Sequence, residues 1–254
     1  MGKREKGKFI TTHQRIRIIS ALIVLALIGA FLVYTASYAR ADQTALEALC
    51  SDKTVTVEQT KYGYLFDGPS ADSALIFYPG GKVDERAYAP LLHEIAARGM
   101  DVCLVKMPFH LAVFGVQRAD SVMETEAYQN WYIGGHSLGG AMAATYATGH
   151  AASLRGLILL AAYPTEKLSD DLPLLSVYGS EDGVLRMKSY EKGMRYWPSD
   201  TREIVIEGGN HAQFGSYGPQ SGDGLAKISA SAQQEETVEQ IFAFFGESVL
   251  QPAA

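Results

Sequence analysis

Cysteine is scarce in this chain. Cys50 and Cys103 are the only two among 254 residues, with no C-x-x-C pair and no His-rich spacing, which excludes a cysteine-built structural zinc site. One disulfide between them stays open. Cys103 lies in the apolar run Val102-Cys103-Leu104-Val105, where a small buried thiol packs as a hydrophobe, and Cys50 lies near the start of the chain's globular part. A basic excess is also lacking: 22 Lys and Arg stand against 28 Asp and Glu, a net charge of −6. That leaves no electrostatic footprint for nucleic acid. No internal repeat or long low-complexity tract is present. With 47% hydrophobic and 20% charged residues, the chain has the composition of a globular protein, and its length fits one α/β domain with a small appendage.

The appendage is N-terminal. Residues 1–17 form a basic flank, with Lys3, Arg4, Lys6, Lys8, Arg15 and Arg17 opposed only by Glu5. Ile18 to Tyr34 carries no charge and is almost wholly aliphatic, and the uncharged run continues to Ala39. About 20 such residues cross a bilayer as a helix. Residues 18–39 are therefore expected to be a transmembrane signal-anchor. The basic flank is expected to stay cytoplasmic, which puts the rest outside, at the cell membrane but extracytoplasmic. Ser37-Tyr38-Ala39 resembles a small-x-small processing site, but the apolar run is longer than a usual signal-peptide core, so an uncleaved anchor is expected. Residues 40–53 read as a linker and 54–254 as the main domain.

From Thr54 the hydrophobic pattern alternates between two periods. Val55 and Val57, then Tyr62 to Phe66, read as a hairpin. Ala74 to Tyr78 is a short continuous apolar run, as a strand buried on both faces requires. Asp84 to Arg98 carries Tyr88, Leu91, Leu92 and Ile95 at helical spacing, closed by Gly99. Further strands are expected at Asp101–Met107, Asn130–Gly134, Gly156–Tyr163, Leu172–Tyr178 and Arg202–Glu207. Helices are expected at Gln117–Tyr128, Leu138–Thr148, Val184–Tyr196 and Ser231–Phe245. This alternation implies a mostly parallel sheet with helices on both faces, and ligands of such sheets bind beyond the strand C-termini.

The most informative run is Gly134-Gly135-His136-Ser137-Leu138-Gly139-Gly140. It contains G-x-S-x-G between apolar Trp131-Tyr132-Ile133 and an Ala-rich helical stretch. Strand, sharp turn and helix in that order make a nucleophile elbow, which holds the Ser137 hydroxyl out at the strand end. A nucleophilic serine needs a base, and the base an orienting acid. Two later strand ends offer them: Gly179-Ser180-Glu181-Asp182-Gly183 and Glu207-Gly208-Gly209-Asn210-His211. Asp182 competes with Glu181 for the acid. His211 competes with His110, which also follows a strand, while His93 and His150 read as surface residues and His136 is fixed beside the serine.

The order Ser137, Asp182, His211, each at a strand end, resembles the α/β-hydrolase family over essentially all the chain after the linker. Gly135 to Gly139 matches the elbow, Gly179 to Asp182 the acid turn and Gly209 to His211 the late histidine loop. The resemblance implies Ser137 as nucleophile, His211 as the base and later the acid, and Asp182 as the group that orients the imidazole. It also implies two backbone donors for an oxyanion: Leu138, which opens the helix after the nucleophile, and Gly81, in the loop Tyr78-Pro79-Gly80-Gly81-Lys82. Pro79 stands where the family often has His.

Between Tyr163 and Leu172 the chain is too short for the large cap of many lipases of this fold, so a small, open site is expected. The chain is similar to the compact dienelactone-hydrolase-like branch, with a serine in place of that enzyme's cysteine. Serine also argues against the branches that use aspartate, the haloalkane dehalogenases and epoxide hydrolases. Met107 and Phe109 are expected to line the cleft. Phe214 and Tyr217 read either as its aromatic wall or as the core of their own Gly-rich loop. Asp223 alone does not make a metal site, and no cofactor is expected. The expected activity is cleavage of small-molecule carboxylic esters through an acyl-enzyme. Acyl transfer or peptide cleavage on the same triad, or a non-catalytic binding module of this fold, are the alternatives.

Overall fold

The computed structural model describes residues 11–69 and 72–250, with side chains up to residue 246. Lys3, Arg4, Lys6 and Lys8 of the basic flank lie outside the described residues. The chain divides into two units, residues 1–38 and 39–254.

The first unit is one helix, α1 (Thr12–Ala36). Thr11 caps it and forms a reciprocal capping box with Gln14, satisfying the first free N–H groups. Twenty-five residues rise about 37 Å, enough to cross the roughly 30 Å apolar layer of a bilayer. Its apolar side chains point outward on every face: Leu25, Leu27 and Val33 are 63%, 65% and 72% exposed. A water-soluble helix would segregate them. The helix starts six residues before the charge-free run, taking in Arg15 and Arg17, and stops three residues short of Ala39. A membrane span and an exported leader share these properties.

The second unit is built on eight strands: β1 (Thr56–Gln59), β2 (Gly63–Asp67), β3 (Ser73–Tyr78), β4 (Asp101–Val105), β5 (Asn130–His136), β6 (Gly156–Leu160), β7 (Leu174–Gly179) and β8 (Thr201–Ile206). They form one sheet in the order β1-β2-β4-β3-β5-β6-β7-β8. β1 and β2 form the expected antiparallel hairpin, and β2 is antiparallel to β4; the other pairs are parallel. The parallel strands β3 to β8 therefore end on one edge, which gathers the loops carrying Gly81, Ser137, Asp182 and His211.

Among the described residues six further helices follow, α2 (Gln43–Glu47), α3 (Ala89–Ala97), α4 (Arg118–Thr125), α5 (Leu138–His150), α6 (Met187–Gly193) and α7 (Ala230–Leu250), of which α3, α4, α5 and α7 pack on the sheet. Side chains alternate across a strand, and β3 shows the consequence. Leu75 and Phe77 join a core with Leu91, Leu92 and Ile95 of α3 and Val238, Ile241 and Phe245 of α7. Ala74, Ile76 and Tyr78 join the opposite core with Val122 of α4 and Ala143, Ala144 and Ala147 of α5. The alanines let α5 lie close on the sheet, which fixes the helix that follows Ser137.

Departures from the sequence reading have local causes. The expected helix over Asp84–Arg98 opens as a 3₁₀ turn, Glu85–Tyr88, and becomes α-helical only at Ala89, with Pro90 at its start. Proline has no N–H to donate and suits a first turn. The helix expected from Val184 begins at Met187, because the Asp182 carboxylate captures the N–H groups of Val184 and Leu185 at 2.9 and 2.7 Å. Both cysteines are free, Cys50 exposed and Cys103 buried, and burial pushes the Cys103 thiol up to about 12. It is an unreactive core residue at neutral pH.

Asp101 opens β4 at the edge opposite the gathered loops. Its buried carboxylate accepts from Gly68 N–H at 2.8 Å and from the Tyr128 hydroxyl at 2.7 Å. Burial outweighs both, aided by repulsion from Asp67, and raises its pKa to about 6. A carboxyl whose pKa is higher in the fold than in the unfolded chain favours folding while protonated. That stability is complete below about pH 4 and lost as pH rises through about 6. The urea midpoint of the wild type is expected to fall between pH 4 and 7 by more than that of Asp101→Asn. Parallel pH dependences in the two proteins would refute the assignment.

Candidate active site

Ser137 joins β5 to α5 with φ 53° and ψ −121°. Positive φ is costly for a residue with a Cβ, and it persists only where the surroundings enforce it. Here the backbone is held on both sides: Ser137 N–H donates to Leu160 C=O at 2.9 Å, and Ser137 C=O accepts from Ala141 N–H at 3.0 Å. The close approach of β3 also demands glycine. A Cβ on Gly139 would collide with the carbonyl oxygens of Tyr78 and Pro79. The hydroxyl thus stands at the end of the strand, at the wall of a cavity of about 350 Å³.

His211 lines the same cavity. Its Nδ1 lies 2.8 Å from Asp182 Oδ2, and both side chains are almost wholly buried. Asp182 Oδ1 is occupied by the Val184 and Leu185 N–H groups, which leaves Oδ2 to accept from the imidazole. With Nδ1–H donated to Asp182, Nε2 carries the lone pair. Nε2 is buried and has no hydrogen-bond partner among the described residues. Glu181, the neighbouring acid, points elsewhere and pairs with Lys227 at 2.6 Å. His110 lies 3.6 Å from Glu85, His93 3.7 Å from Asp52, and His150 accompanies Tyr146 and Asp120. None of these three histidines lines the cavity.

Gly81 packs directly against Leu138: a Cβ there would lie 2.8 Å from Leu138 Cδ2. Neither Gly81 N–H nor Leu138 N–H is hydrogen-bonded to another described residue, whereas the flanking Gly80 and Lys82 N–H groups are bonded to the Tyr88 hydroxyl and His110 C=O at 3.0 and 2.8 Å. Tyr88 thus supports the loop, and its hydroxyl also meets His136 Nδ1 at 2.8 Å. Burial raises the Tyr88 pKa, keeping the phenol protonated, so it accepts from Gly80 and donates to His136. Burial first, and then His211 with its ring centroid 4.5 Å away, holds His136 well below the usual imidazole range. The histidine beside the serine is therefore a neutral acceptor.

Besides Ser137, Leu138 and His211, the cavity is lined by Ala141, Ala161, Ala162, Tyr163, Val184, Leu185 and Arg186. Three of these are alanines, and Arg186 contributes a guanidinium. The four expected contact residues lie elsewhere. Met107 is buried in the core on the α5 side of the sheet. Phe109 is half-exposed on a turn, edge-to-face with Phe114. Phe214 is fully buried beneath the histidine loop, 5.6 Å from the His136 ring. Tyr217 is buried against Tyr88 and donates to Gln220 Oε1 at 3.1 Å. The 3₁₀ turn Ala212–Phe214 rolls the loop inward immediately after His211, so its aromatics join the core on the α3 and α7 side of the sheet. The lining comes instead from α5, from Ala161 to Tyr163 just after β6 and from Val184 to Arg186 just after the acid turn. The signal available in sequence was the apolar Ala161-Ala162-Tyr163 at a strand end beside the elbow.

A family model described as the alpha/beta hydrolase family matches residues 74–235. Solved structures share the architecture at low identity. Esterase 2 of Thermogutta terrifontis, phosphoramylated by tabun, is 15% identical with a TM-score of 0.56, and the match covers 80% of this chain and 98% of that one. Est1E from Butyrivibrio proteoclasticus is 12% identical with a TM-score of 0.54, covering 76% and 100%. A membrane phospholipase A, described as a novel bacterial virulence factor, is 12% identical with a TM-score of 0.56, covering 92% and 98%. These likenesses are ones of fold. No curated protein matches the chain significantly.

Proposed function

The chain belongs to the α/β-hydrolase family, and we propose that it is a serine hydrolase cleaving carboxylic esters of small or medium acyl groups, anchored by α1 with its catalytic domain outside the cytoplasmic membrane. The observation that carries this reading is one imidazole with its Nδ1 on a buried carboxylate and its Nε2 unbonded, in the cavity that holds the strained serine.

The chemistry follows from those positions. His211 Nε2 takes the Ser137 hydroxyl proton as Oγ attacks the ester carbonyl carbon. The carbonyl π pair moves to oxygen, and the Gly81 and Leu138 N–H groups stabilise that oxyanion. Asp182 stabilises the imidazolium. The tetrahedral adduct collapses, the C–O bond to the alcohol breaks, and His211 delivers its proton to the leaving oxygen. Water then enters and attacks the acyl carbon as His211 takes its proton; the bond from that carbon to Oγ breaks, His211 returns the proton to Ser137 Oγ, and the acid leaves. His136 stays neutral and does not compete for the proton.

Cavity size sets the expected specificity. About 350 Å³ bounded by alanines suits short and medium acyl chains. The test is reaction of the full chain, in detergent, with a fluorophosphonate, followed by p-nitrophenyl esters of increasing length. One adduct on the Ser137 peptide and a kcat/KM optimum below about ten carbons are expected. A folded protein that does not label would refute the hydrolase reading.

A further inference from the structure

The carboxylate of Asp223 lies between the two loops that carry the acid and the base. Its Oδ1 accepts from Gly183 N–H at 3.1 Å, from His211 N–H at 3.2 Å and from its own neighbour Gly224 N–H at 2.9 Å. Its Oδ2 accepts from Ala212 N–H at 2.8 Å. Gly183 follows Asp182, and Ala212 follows His211. One side chain therefore ties the acid turn, the base itself and the residue after the base, across a separation of 40 residues. Four donors satisfy a carboxylate's acceptor capacity, and charge-assisted bonds of this kind are about twice as strong as neutral ones.

The backbone around Asp223 is shaped for this contact. Gly224 packs so tightly on the acid turn that a Cβ would collide with Glu181 C=O. Asn210 donates to Gly224 C=O at 2.8 Å and accepts from Gln213 N–H at 3.1 Å. Gln233 of α7 clamps Asn210 from behind, accepting its N–H at 2.9 Å and donating to its C=O at 2.8 Å. Asp223 lines a separate cavity behind the histidine loop, not the one that holds Ser137.

We infer that Asp223 is a positioning residue for the reaction: through backbone N–H groups of both loops it sets the 2.8 Å separation of His211 Nδ1 and Asp182 Oδ2. The inference rests on the proposed serine-hydrolase function. Without Asp223, the two loops stay joined at their bases by Glu181 N–H to Gly209 C=O and Gly208 N–H to Ser180 Oγ, both at 2.8 Å, but Gly183, His211 and Ala212 lose their shared acceptor and the imidazole is free to swing about its own backbone.

The full chain is assayed as wild type, Asp223→Ala and Asp223→Asn. In Asp223→Ala, kcat is expected to fall about 100-fold, the scale of a roughly 1 Å misplacement, with KM nearly unchanged. The far-downfield proton resonance of the His211–Asp182 bond is expected to vanish in protein that is still folded by circular dichroism, with a lowered Tm because four backbone N–H groups lose their acceptor. Asp223→Asn, whose amide oxygen can keep the three bonds to Oδ1 but whose NH₂ loses the Ala212 bond, is expected to recover part of kcat and the resonance, falling between Asp223→Ala and wild type. Wild-type kcat in Asp223→Ala overturns the inference, and so does a loss that Asp223→Asn does not lessen. If Asp223→Ala does not fold, Asp223→Glu gives the same reading: it displaces the carboxylate by one methylene, and wild-type kcat there also overturns the inference. Wild-type protein that fails to label at Ser137 would instead sink the hydrolase function itself.

Discussion

Ser137→Ala is expected to lower kcat by about 10⁶-fold, the scale seen when a triad nucleophile is removed, and to abolish fluorophosphonate labelling. Substrate affinity and Tm should change little. The reasons are local. Oγ makes no hydrogen bond to another described residue, so its deletion leaves no buried partner unsatisfied. The positive φ is enforced by the bonds to Leu160 and Ala141 and by the contact of Gly139 with β3, none of which involves the side chain. The residual rate would come from the Gly81 and Leu138 N–H groups and from binding alone. Labelling and turnover both measured against a folded Ser137→Ala control decide the matter. Turnover within tenfold of wild type would mean that another residue attacks the ester.

The sequence discloses whatever depends on local pattern. Runs such as Ala74–Tyr78 and Gly156–Tyr163 announce parallel strands because both faces must be apolar, although the second strand stops at Leu160. The elbow is legible because Gly-x-Ser-x-Gly between a strand and an Ala-rich helix has few other uses. The choice of Asp182 over Glu181 was carried by resemblance, and the geometry supplies its physical counterpart: Asp182 folds back on Val184 and Leu185 while Glu181 reaches Lys227. Contacts distant in sequence leave no such trace. Tyr88 read only as an apolar position of a helix, yet it links the Gly80 loop to His136, 48 residues away. Gln233 is silent for the same reason, and Asp223 stands out only as an isolated carboxylate between glycines, with nothing to point to its bonds across the two loops. Phe214 and Tyr217 illustrate the reverse. Two aromatics in a Gly-rich loop after His211 suit a pocket wall and a loop core equally, and the inward turn after His211 instead puts both in the core shared with α3 and α7.

That same inward geometry makes the second large effect predictable. Asp182→Asn is expected to lower kcat by about 10⁴-fold, the loss known for triads left with the wrong imidazole tautomer. The Asp182 side chain is not free to choose which atom faces His211. Oδ1 accepts from two backbone N–H groups at 2.9 and 2.7 Å, so in the variant the amide oxygen must take that position. The opposite flip would aim an NH₂ at two donors, with each unmet bond costing about 1–3 kcal/mol. The amide nitrogen then faces His211 Nδ1 and donates to it. The imidazole proton moves to Nε2 and points at Ser137, where a lone pair is required. Folding and the elbow are untouched, so the loss should appear in kcat and in the rate of fluorophosphonate labelling by similar factors. Substrate affinity should be preserved. A variant that labels at the wild-type rate would show that Asp182 does not govern the tautomer of His211, and the assignment of the acid would pass to another residue.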